Sequence, residues 1–212
     1  MAPLHTVYLG LGANLGDRDA TLRAALAALS EPMRNDDAQA DAHVGAPTPA
    51  GADAPPDATP LMLGADAKPN QPSPNPPAQP IVRIERVSSV YDTAPLLLTE
   101  QPRFHNIVCV GQTWLAPLPL LHTLKRIEAR LGRVAGVRYG PRALDIDILF
   151  YDDLILRTPE LTIPHGRIAE RAFVLLPLAE IAPDLRHPTL GRAMRSLATD
   201  VAGADAQRVG RL

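Results

Sequence analysis

The sequence predicts an α+β domain whose elements follow a ferredoxin-like order. Apolar segments of β type alternate with segments of helical periodicity, and two predicted strands follow each other without a helix between them. The predicted order is strand, helix, strand, strand, helix, strand, and then a C-terminal helical tail. A proline-rich insertion, residues 31–80, separates the first helix from the second strand. The other 162 of the 212 residues have the size of a single domain.

The N-terminal elements are predicted as a strand, a turn and a helix. Thr6–Leu11 is apolar and rich in residues that favour strands, and the glycines of Gly12–Gly16 predict a turn. Asp17 is suited to cap the helix that follows. Apolar residues recur in that helix at helical spacing, at Leu22, Ala25, Leu26 and Leu29.

The segments after the insertion predict two long strands and an amphipathic helix. Ile81–Tyr91 and Asn106–Leu115 are the strands, and a loop with two prolines joins them. Pro117–Leu131 is the helix, because its leucines and isoleucine fall on one face.

The C-terminal part begins with a glycine-rich loop, Gly132–Gly140, which leads to a strand at Ala143–Tyr151. We expect Leu154–Arg157 to pair with that strand across a tight turn. Arg171–Ile181 and Gly191–Ala198 are predicted helices.

The insertion differs from the rest of the chain in composition. Residues 31–80 contain 12 of the 23 prolines, no aromatic residue and a charge of −5, so the remaining residues carry +3. Such a segment cannot bury enough apolar surface to offset the entropy of ordering, and we predict that it is disordered or weakly ordered. Its one apolar cluster, Leu61–Leu63, is either ordinary linker sequence or a docking motif.

Charge, hydropathy and cysteine content exclude several classes of protein. A net charge of −2 is unlike that of a protein that binds nucleic acid through its phosphates. No apolar run reaches about 18 residues, so we expect no membrane partner. The single cysteine, Cys109, excludes an internal disulfide and a cysteine-based zinc site, and we expect it to be a small buried apolar residue. The composition predicts a cytoplasmic protein.

Two aspartates on the last predicted strand are the strongest sign of chemistry. Asp145 and Asp147 project from the same face because side chains alternate along a strand. They either lie on an exposed face or share a hard cation such as Mg²⁺ with phosphate oxygens. Three nearby arginines favour the metal site, because guanidinium groups bind phosphoryl oxygens: Arg133, Arg138 and Arg142.

Other residues allow two interpretations each. The glycines from Gly10 to Gly16 form either a phosphate-binding loop or a tight turn. His165 is either a solvated loop residue or a ligand contact. Phe104 and Phe173 either pack in the core or hold a flat ligand between their rings, in which case Asn106 can bond the ligand's edge.

The segment that carries the aspartates, Arg138–Leu149, reads RYGPRALDIDIL. Other distinctive segments, in chain order, are Leu9–Arg18, Ser89–Leu96, Gln101–Asn106, Arg126–Glu128 with Leu131–Arg133, and Pro164–Phe173. Over essentially all of the 162 residues outside the insertion, these motifs resemble the 6-hydroxymethyl-7,8-dihydropterin pyrophosphokinase family of folate biosynthesis.

The resemblance implies a monomeric three-layer α/β/α sandwich with a mainly antiparallel sheet. It implies transfer of the pyrophosphoryl group of ATP to the hydroxymethyl group of the pterin, with release of AMP. Asp145 and Asp147 would bind two Mg²⁺ ions and act in catalysis with Arg133 and Arg142. The implied ATP contacts are Lys125, Arg133, Arg142, Ile148, Thr162, His165 and Arg171. The implied pterin contacts are Gly12, Thr93, Ala94, Leu96, Phe104, Asn106, Tyr139 and Phe173.

The chain departs from the family pattern mainly near the nucleotide. Ala135 and Glu160 stand where the family often has basic residues, and Tyr139 stands where tryptophan is frequent. Two other hypotheses remain, a ferredoxin-like module that binds RNA or a regulatory ligand, and a relative that has lost catalysis. Release of AMP that depends on the pterin distinguishes the enzyme from both.

Overall fold

The computed structural model describes residues 3–33, 79–95, 100–133, 140–201, 203 and 205–212. The strands in these residues are β1 (His5–Ala13), β2 (Arg83–Val87), β3 (Val90–Thr93), β4 (Phe104–Thr113), β5 (Asp145–Tyr151), β6 (Leu156–Arg157), β7 (Thr162–Ile163) and β8 (Ala206–Gly210). The α-helices are α1 (Arg18–Ser30), α2 (Pro117–Arg130), α3 (Ala172–Ile181) and α4 (Met194–Asp200), and a 3₁₀ turn spans Ile168–Glu170.

The main sheet has the strand order of a ferredoxin-like fold. β1 lies between β5 and β4, and both β2 and β3 pair with the far side of β4. Each of these pairs is antiparallel, and β8 extends the sheet beyond β3. The α+β architecture and the mainly antiparallel sheet predicted from the sequence are confirmed.

Helices cover the two faces of this sheet, giving the three layers. α1 and α2 pack on the face that Val7, Leu9 and Leu11 of β1 present. α3 and α4 cover the other face in a core of apolar side chains that includes Val108, Val110, Leu149, Phe150, Leu175, Leu178 and Leu197. Cys109 is 1% exposed, and burial raises the pKa of its thiol to about 12, as expected of an unreactive core residue.

The helix boundaries follow local signals closely. The Asp17 carboxylate accepts a hydrogen bond from the Ala20 N–H (2.9 Å), so the predicted N-cap is confirmed. α2 begins at Pro117, a residue suited to the first turn because its missing N–H needs no partner there. None of the described helices is both long and apolar enough to cross a membrane.

The predicted single strand at Ile81–Tyr91 is instead two strands on the same side of β4. Ser88 and Ser89 lie between them, and Ser88 Oγ accepts a hydrogen bond from the Val108 N–H (3.0 Å). The N–H and Oγ of Ser89 both donate to the Glu180 carboxylate of α3. The Ser88 N–H still donates to the Val108 carbonyl (2.9 Å), and these side-chain bonds accompany the interruption of the strand.

Two predictions in the C-terminal part were wrong. Leu156 and Arg157 pair with Thr162–Ile163 and not with β5, in a separate two-stranded sheet. The C-terminal segment is not wholly helical, because Ala206–Gly210 forms β8. β8 satisfies the backbone groups at the free edge of β3, and the Arg103 guanidinium bonds Asp205 just before it (2.7 and 2.8 Å).

The ends of the insertion come together at the surface. Pro32 and Pro80 form an antiparallel bridge within the compact unit Met1–Pro32 and Pro80–Leu212. At the ends of the other unit, Met33–Gln79, the Met33 N–H donates to the Gln79 carbonyl (3.3 Å). Residues 34–78, on which the prediction of disorder mainly rests, lie outside the described residues.

Candidate active site

A cavity of about 510 Å³ opens over the face of the sheet that carries the two aspartates. This volume is in the usual range for a small-molecule site. It is lined by residues from β1, β3, β4, β5, α2, the start of α3 and the loops around them. From the implied set they are Gly12, Thr93, Ala94, Phe104, Asn106, Lys125, Arg133, Arg142, Asp145, Asp147, His165, Arg171 and Phe173.

The two aspartates lie side by side on β5, as alternation predicted. Asp145 is paired with Gly12 of β1 and Asp147 with Gly10. Both carboxylates line the cavity, and so do the two glycines beside them. The aspartate side chains are 25% and 35% exposed, so they are available to a ligand.

Two arginines hold Asp145 in place. Arg133 Nη1 bonds Asp145 Oδ1 (2.6 Å), and Arg142 Nη1 bonds Asp145 Oδ2 (2.7 Å). Burial lowers the pKa of Arg133, but the carboxylates of Asp145 and Glu128 outweigh it and raise that pKa overall. The Arg133 guanidinium therefore remains charged beside the position where phosphate oxygens are expected.

Glu128 is a structural centre of the site that the sequence did not reveal. Its side chain is 1% exposed, and it accepts hydrogen bonds from Lys125 Nζ (2.8 Å), the Arg133 guanidinium and the Ile146 N–H (2.7 Å). Glu128 thus connects Lys125 of α2, and Arg133 just after that helix, to the backbone of β5 between the two aspartates. On a helix, such a glutamate is indistinguishable from a solvated residue by pattern alone.

His165 lies at the Asp147 side of the cavity, where its backbone N–H bonds the Leu149 carbonyl of β5 (3.0 Å). Burial lowers its pKa, Asp147 opposes the shift and Arg171 reinforces it. The Arg167 N–H donates to Nδ1 (3.3 Å), so the neutral ring carries its hydrogen on Nε2. Arg171 Nη1 lies 3.8 Å from Asp147 Oδ2.

The other end of the cavity is aromatic. Phe104 and Phe173 both line it, and the Arg171 guanidinium lies 5.5 Å from the centre of the Phe173 ring. Asn106 is 6% exposed, and its Nδ2 donates to Thr93 Oγ1 (2.8 Å). This bond fixes the amide, and Oδ1 lies over Gly12, where an added Cβ would be only 2.7 Å away.

Of the implied contacts that the structure describes, two do not line the cavity. Ile148 is 3% exposed and pairs with Leu9, on the face of the sheet that α1 and α2 cover, opposite to the aspartates. Thr162 is exposed on β7. Leu96 and Tyr139 lie outside the described residues. In addition, Gln101, Arg167 and Glu170, which sequence reasoning did not select, line the cavity.

The donor set suits a Mg²⁺ ion shared with a substrate. The described residues hold no cluster of three or more His, Cys, Asp or Glu side chains able to bind a metal on their own. Two adjacent carboxylates do fit Mg²⁺, which commonly takes one or two protein carboxylates and completes its shell with phosphate oxygens and water. The arrangement therefore indicates a site for a metal–phosphate complex.

Comparison with known proteins gives one consistent family. Residues 75–183 match the family described as 7,8-dihydro-6-hydroxymethylpterin-pyrophosphokinase. The 2-amino-4-hydroxy-6-hydroxymethyldihydropteridine pyrophosphokinase of Aquifex aeolicus is 30% identical over 190 residues, covering 90% of this chain and 88% of the relative. The protein of the same name from Pseudomonas aeruginosa is 50% identical over 109 residues, covering 51% of this chain and 67% of the relative.

Longer proteins share the same region. The chain spans 16–19% of the length of the folate-synthesis proteins of Pneumocystis carinii, Dictyostelium discoideum and Pisum sativum that it matches. The wild-type HPPK-DHPS crystal structure of Plasmodium falciparum has the same fold, with a TM-score of 0.57 at 15% identity, over 94% of this chain and 42% of that chain. From these matches, the chain belongs to the 7,8-dihydro-6-hydroxymethylpterin-pyrophosphokinase family.

Proposed function

We propose that the chain transfers the pyrophosphoryl group of ATP to the hydroxymethyl group of 6-hydroxymethyl-7,8-dihydropterin and releases AMP, a reaction of folate biosynthesis. The observation that carries this proposal is the layout of one cavity. Its aromatic end, at Phe104 and Phe173, adjoins an end where Asp145 and Asp147 lie among arginines. A flat heterocycle and a polyphosphate can therefore bind side by side.

The pterin would bind at the aromatic end. Phe104 and Phe173 offer two rings to a flat ligand, and offset stacking on aromatic faces is favourable. Because Asn106 Nδ2 is engaged by Thr93, its Oδ1 remains to accept a hydrogen bond from an N–H of the pterin edge. The backbone near Ala94 and Gly12, together with Leu96 and Tyr139, completes the proposed pterin contacts.

The phosphates of ATP would bind at the cationic end. Arg133, Arg142 and Arg171 carry fixed positive charge there, and neutral His165 supplies an N–H donor. Lys125 lies at the rim, held by Glu128. Thr162, exposed on β7, is a proposed contact of the nucleoside, whereas Ile148 is not retained as one because it is buried on the opposite face of the sheet.

In the reaction, the hydroxymethyl oxygen forms a bond to the β-phosphorus of ATP. The bond from that phosphorus to the oxygen shared with the α-phosphorus breaks, and AMP leaves with this oxygen and its electron pair. The hydroxyl proton passes to solvent, because no side chain of the described cavity stands out as an obligatory base. The protein supplies mainly in-line positioning and neutralisation of charge.

We further propose that Asp145 and Asp147 hold two Mg²⁺ ions together with the phosphates. Bound there, the ions would supply charge neutralisation and lower the pKa of the attacking hydroxyl. The ion pairs of Asp145 with Arg133 and Arg142 keep this carboxylate oriented toward the cavity. We also propose a cytoplasmic monomer, as the family resemblance and the overall composition imply.

The test is AMP release from MgATP in the presence and absence of the pterin. We expect AMP only when both are present, and we expect Asp147→Ala to lower kcat by at least about 10³-fold because the proposed metal ions lose a ligand. The thermal midpoint of this variant should stay within about 3 °C of wild type. The matched control, Asp153→Ala, removes an exposed carboxylate just beyond β5 and should leave kcat unchanged.

Two results would contradict the proposal. Folded wild-type protein that forms no AMP with the pterin would favour a binding module or a non-catalytic relative. An Asp147→Ala variant with near-normal turnover would contradict the assignment of the metal ions to the aspartate pair.

A further inference from the structure

Asn14, the residue after β1, makes hydrogen bonds to one segment at the aromatic end of the cavity and to another at the phosphate end. It does so through its backbone and through both polar atoms of its side chain. It is 1% exposed, although asparagine is usually a surface residue. Its Nδ2 donates to Gln101 Oε1 and to the Pro102 carbonyl, both at 3.1 Å. Its Oδ1 accepts the Arg142 N–H (2.7 Å), and its own N–H donates to the Arg142 carbonyl (3.2 Å).

The partners of this amide lie in two segments, one at each end of the site. Gln101 lines the cavity and begins the segment that leads to Phe104 and Asn106, at the aromatic end. Arg142 bonds Asp145 at the phosphate end. One buried side chain therefore sets the position of a segment at each end.

We propose that Asn14 is a positioning residue that couples the binding of the pterin to the binding of the nucleotide. This inference rests on the proposed function. A pterin that orders the Gln101–Phe104 segment also fixes the Asn14 amide, which in turn holds the Arg142 backbone in the position that bonds Asp145. Because linkage is reciprocal, the nucleotide strengthens pterin binding by the same factor.

The chemistry of the amide makes this proposal separable from a simple structural role. Asn14→Asp keeps an acceptor for the Arg142 N–H but loses the donor, and its charge repels Gln101 Oε1 and the Pro102 carbonyl. Asn14→Ser is neutral and too short to reach both segments at once. Leu15→Ala is the matched control, because this neighbour is 41% exposed in the same turn.

The experiment measures the dissociation constant of the pterin with and without a Mg²⁺-bound, non-hydrolysable ATP analogue, by titration calorimetry. We expect the analogue to tighten pterin binding in wild type and in Leu15→Ala by about 5-fold or more, the usual size of such coupling. In Asn14→Asp and Asn14→Ser this ratio should approach 1. The affinity for each ligand alone should change by less than about 3-fold, well below 1.4 kcal/mol.

Other outcomes have distinct meanings. The coupling role would be overturned if the analogue still tightened pterin binding as in wild type in both folded Asn14 variants. It would also be overturned if both single-ligand affinities fell equally while that effect of the analogue was retained. A ratio of 1 in wild type would also overturn it. Failure of wild type to bind either ligand or to form AMP would instead contradict the proposed function.

Discussion

Asn106 and Gly12 form a contact whose geometry allows no additional atom. The amide of Asn106 is fixed by Thr93, and its Oδ1 lies 2.7 Å from the position of a Cβ on residue 12. Real Cβ atoms essentially never lie this close to another heavy atom. The glycine at position 12 thus determines where the carbonyl of Asn106 can lie, and so the edge that it presents to a flat ligand.

We predict that Gly12→Ala raises the KM for the pterin about tenfold or more, equivalent to about 1.4 kcal/mol of binding. The new methyl group must displace the Asn106 amide and break its bond to Thr93. Steady-state kinetics with the pterin varied at saturating ATP give this number.

Gly166→Ala is the control for that variant. Gly166 follows His165, but a Cβ there meets nothing within 4 Å, so both KM values should stay within about twofold, the effect of an ordinary surface substitution. If Gly12→Ala keeps the wild-type KM for the pterin, Asn106 does not bind the pterin edge.

At the scale of the secondary-structure elements, the Glu128 side chain connects α2 to β5 next to the two aspartates. The Glu128 carboxylate of α2 accepts the Ile146 N–H, midway between the aspartates of β5, and also holds Lys125 and Arg133. A shift of the helix along the sheet would therefore move these two cations and the aspartate pair together. This makes Glu128 the link between packing of the helix layer and geometry of the site.

We predict that Glu128→Gln raises the KM for ATP and lowers the free energy of unfolding by about 1–3 kcal/mol, because a buried acceptor is replaced by an amide whose NH₂ faces two cations. Equilibrium unfolding in urea and kinetics with ATP varied measure the two effects. Glu85→Gln, at an exposed position of β2, should change neither quantity. A Glu128→Gln variant with wild-type ATP kinetics would show that Arg133 and Lys125 do not need this carboxylate.

At the scale of the whole molecule, the insertion leaves and re-enters the folded unit at one place. The Pro32–Pro80 bridge brings its ends together, and the backbone of Val82 bonds Leu29 at the end of α1 (2.8 Å). None of these residues lines the described part of the active-site cavity. We therefore expect a change in the length of the segment between them to leave the residues that line the cavity in place.

We predict that replacing residues 34–78 by a four-residue glycine–serine turn leaves kcat and both KM values within about twofold of wild type. The Met33–Gln79 hydrogen bond shows that so short a connection can span the ends. Closing a shorter loop costs less entropy, so the free energy of unfolding should rise by about 2 kcal/mol. Urea denaturation and AMP release measure both. Loss of activity in the folded, shortened protein would assign the insertion a part in catalysis.

Local patterns predicted the parts of the molecule that depend on local physics. Strand alternation placed Asp145 and Asp147 on one face, and helical spacing with a capping residue located α1. The interruption at Ser88 and Ser89 was not predictable, because it depends on Glu180, about ninety residues away along the chain. β8 also escaped, since it has no apolar alternation and forms because β3 offers a free edge.

The residues of the candidate site likewise fall into those that the sequence identified and those that it did not. The motif residues that line the cavity come from segments far apart in sequence. The family resemblance was what predicted that they belong to one site. Glu128 and Asn14 escaped because their importance comes from burial and from partners on other elements. Burial of a polar side chain is a property of the tertiary fold and not of a single segment.

The Pro32–Pro80 bridge also has a practical consequence. The Pro32–Pro80 bridge holds the two flanks of the insertion next to each other. A domain whose own termini lie close together can therefore be inserted at this point without disturbing the fold. A small reporter domain cloned between Met33 and Gln79 should thus fold beside an intact cavity. The position of the proline-rich segment therefore suits a fluorescent label or an affinity tag, since none of the residues at its ends lines the described part of the cavity.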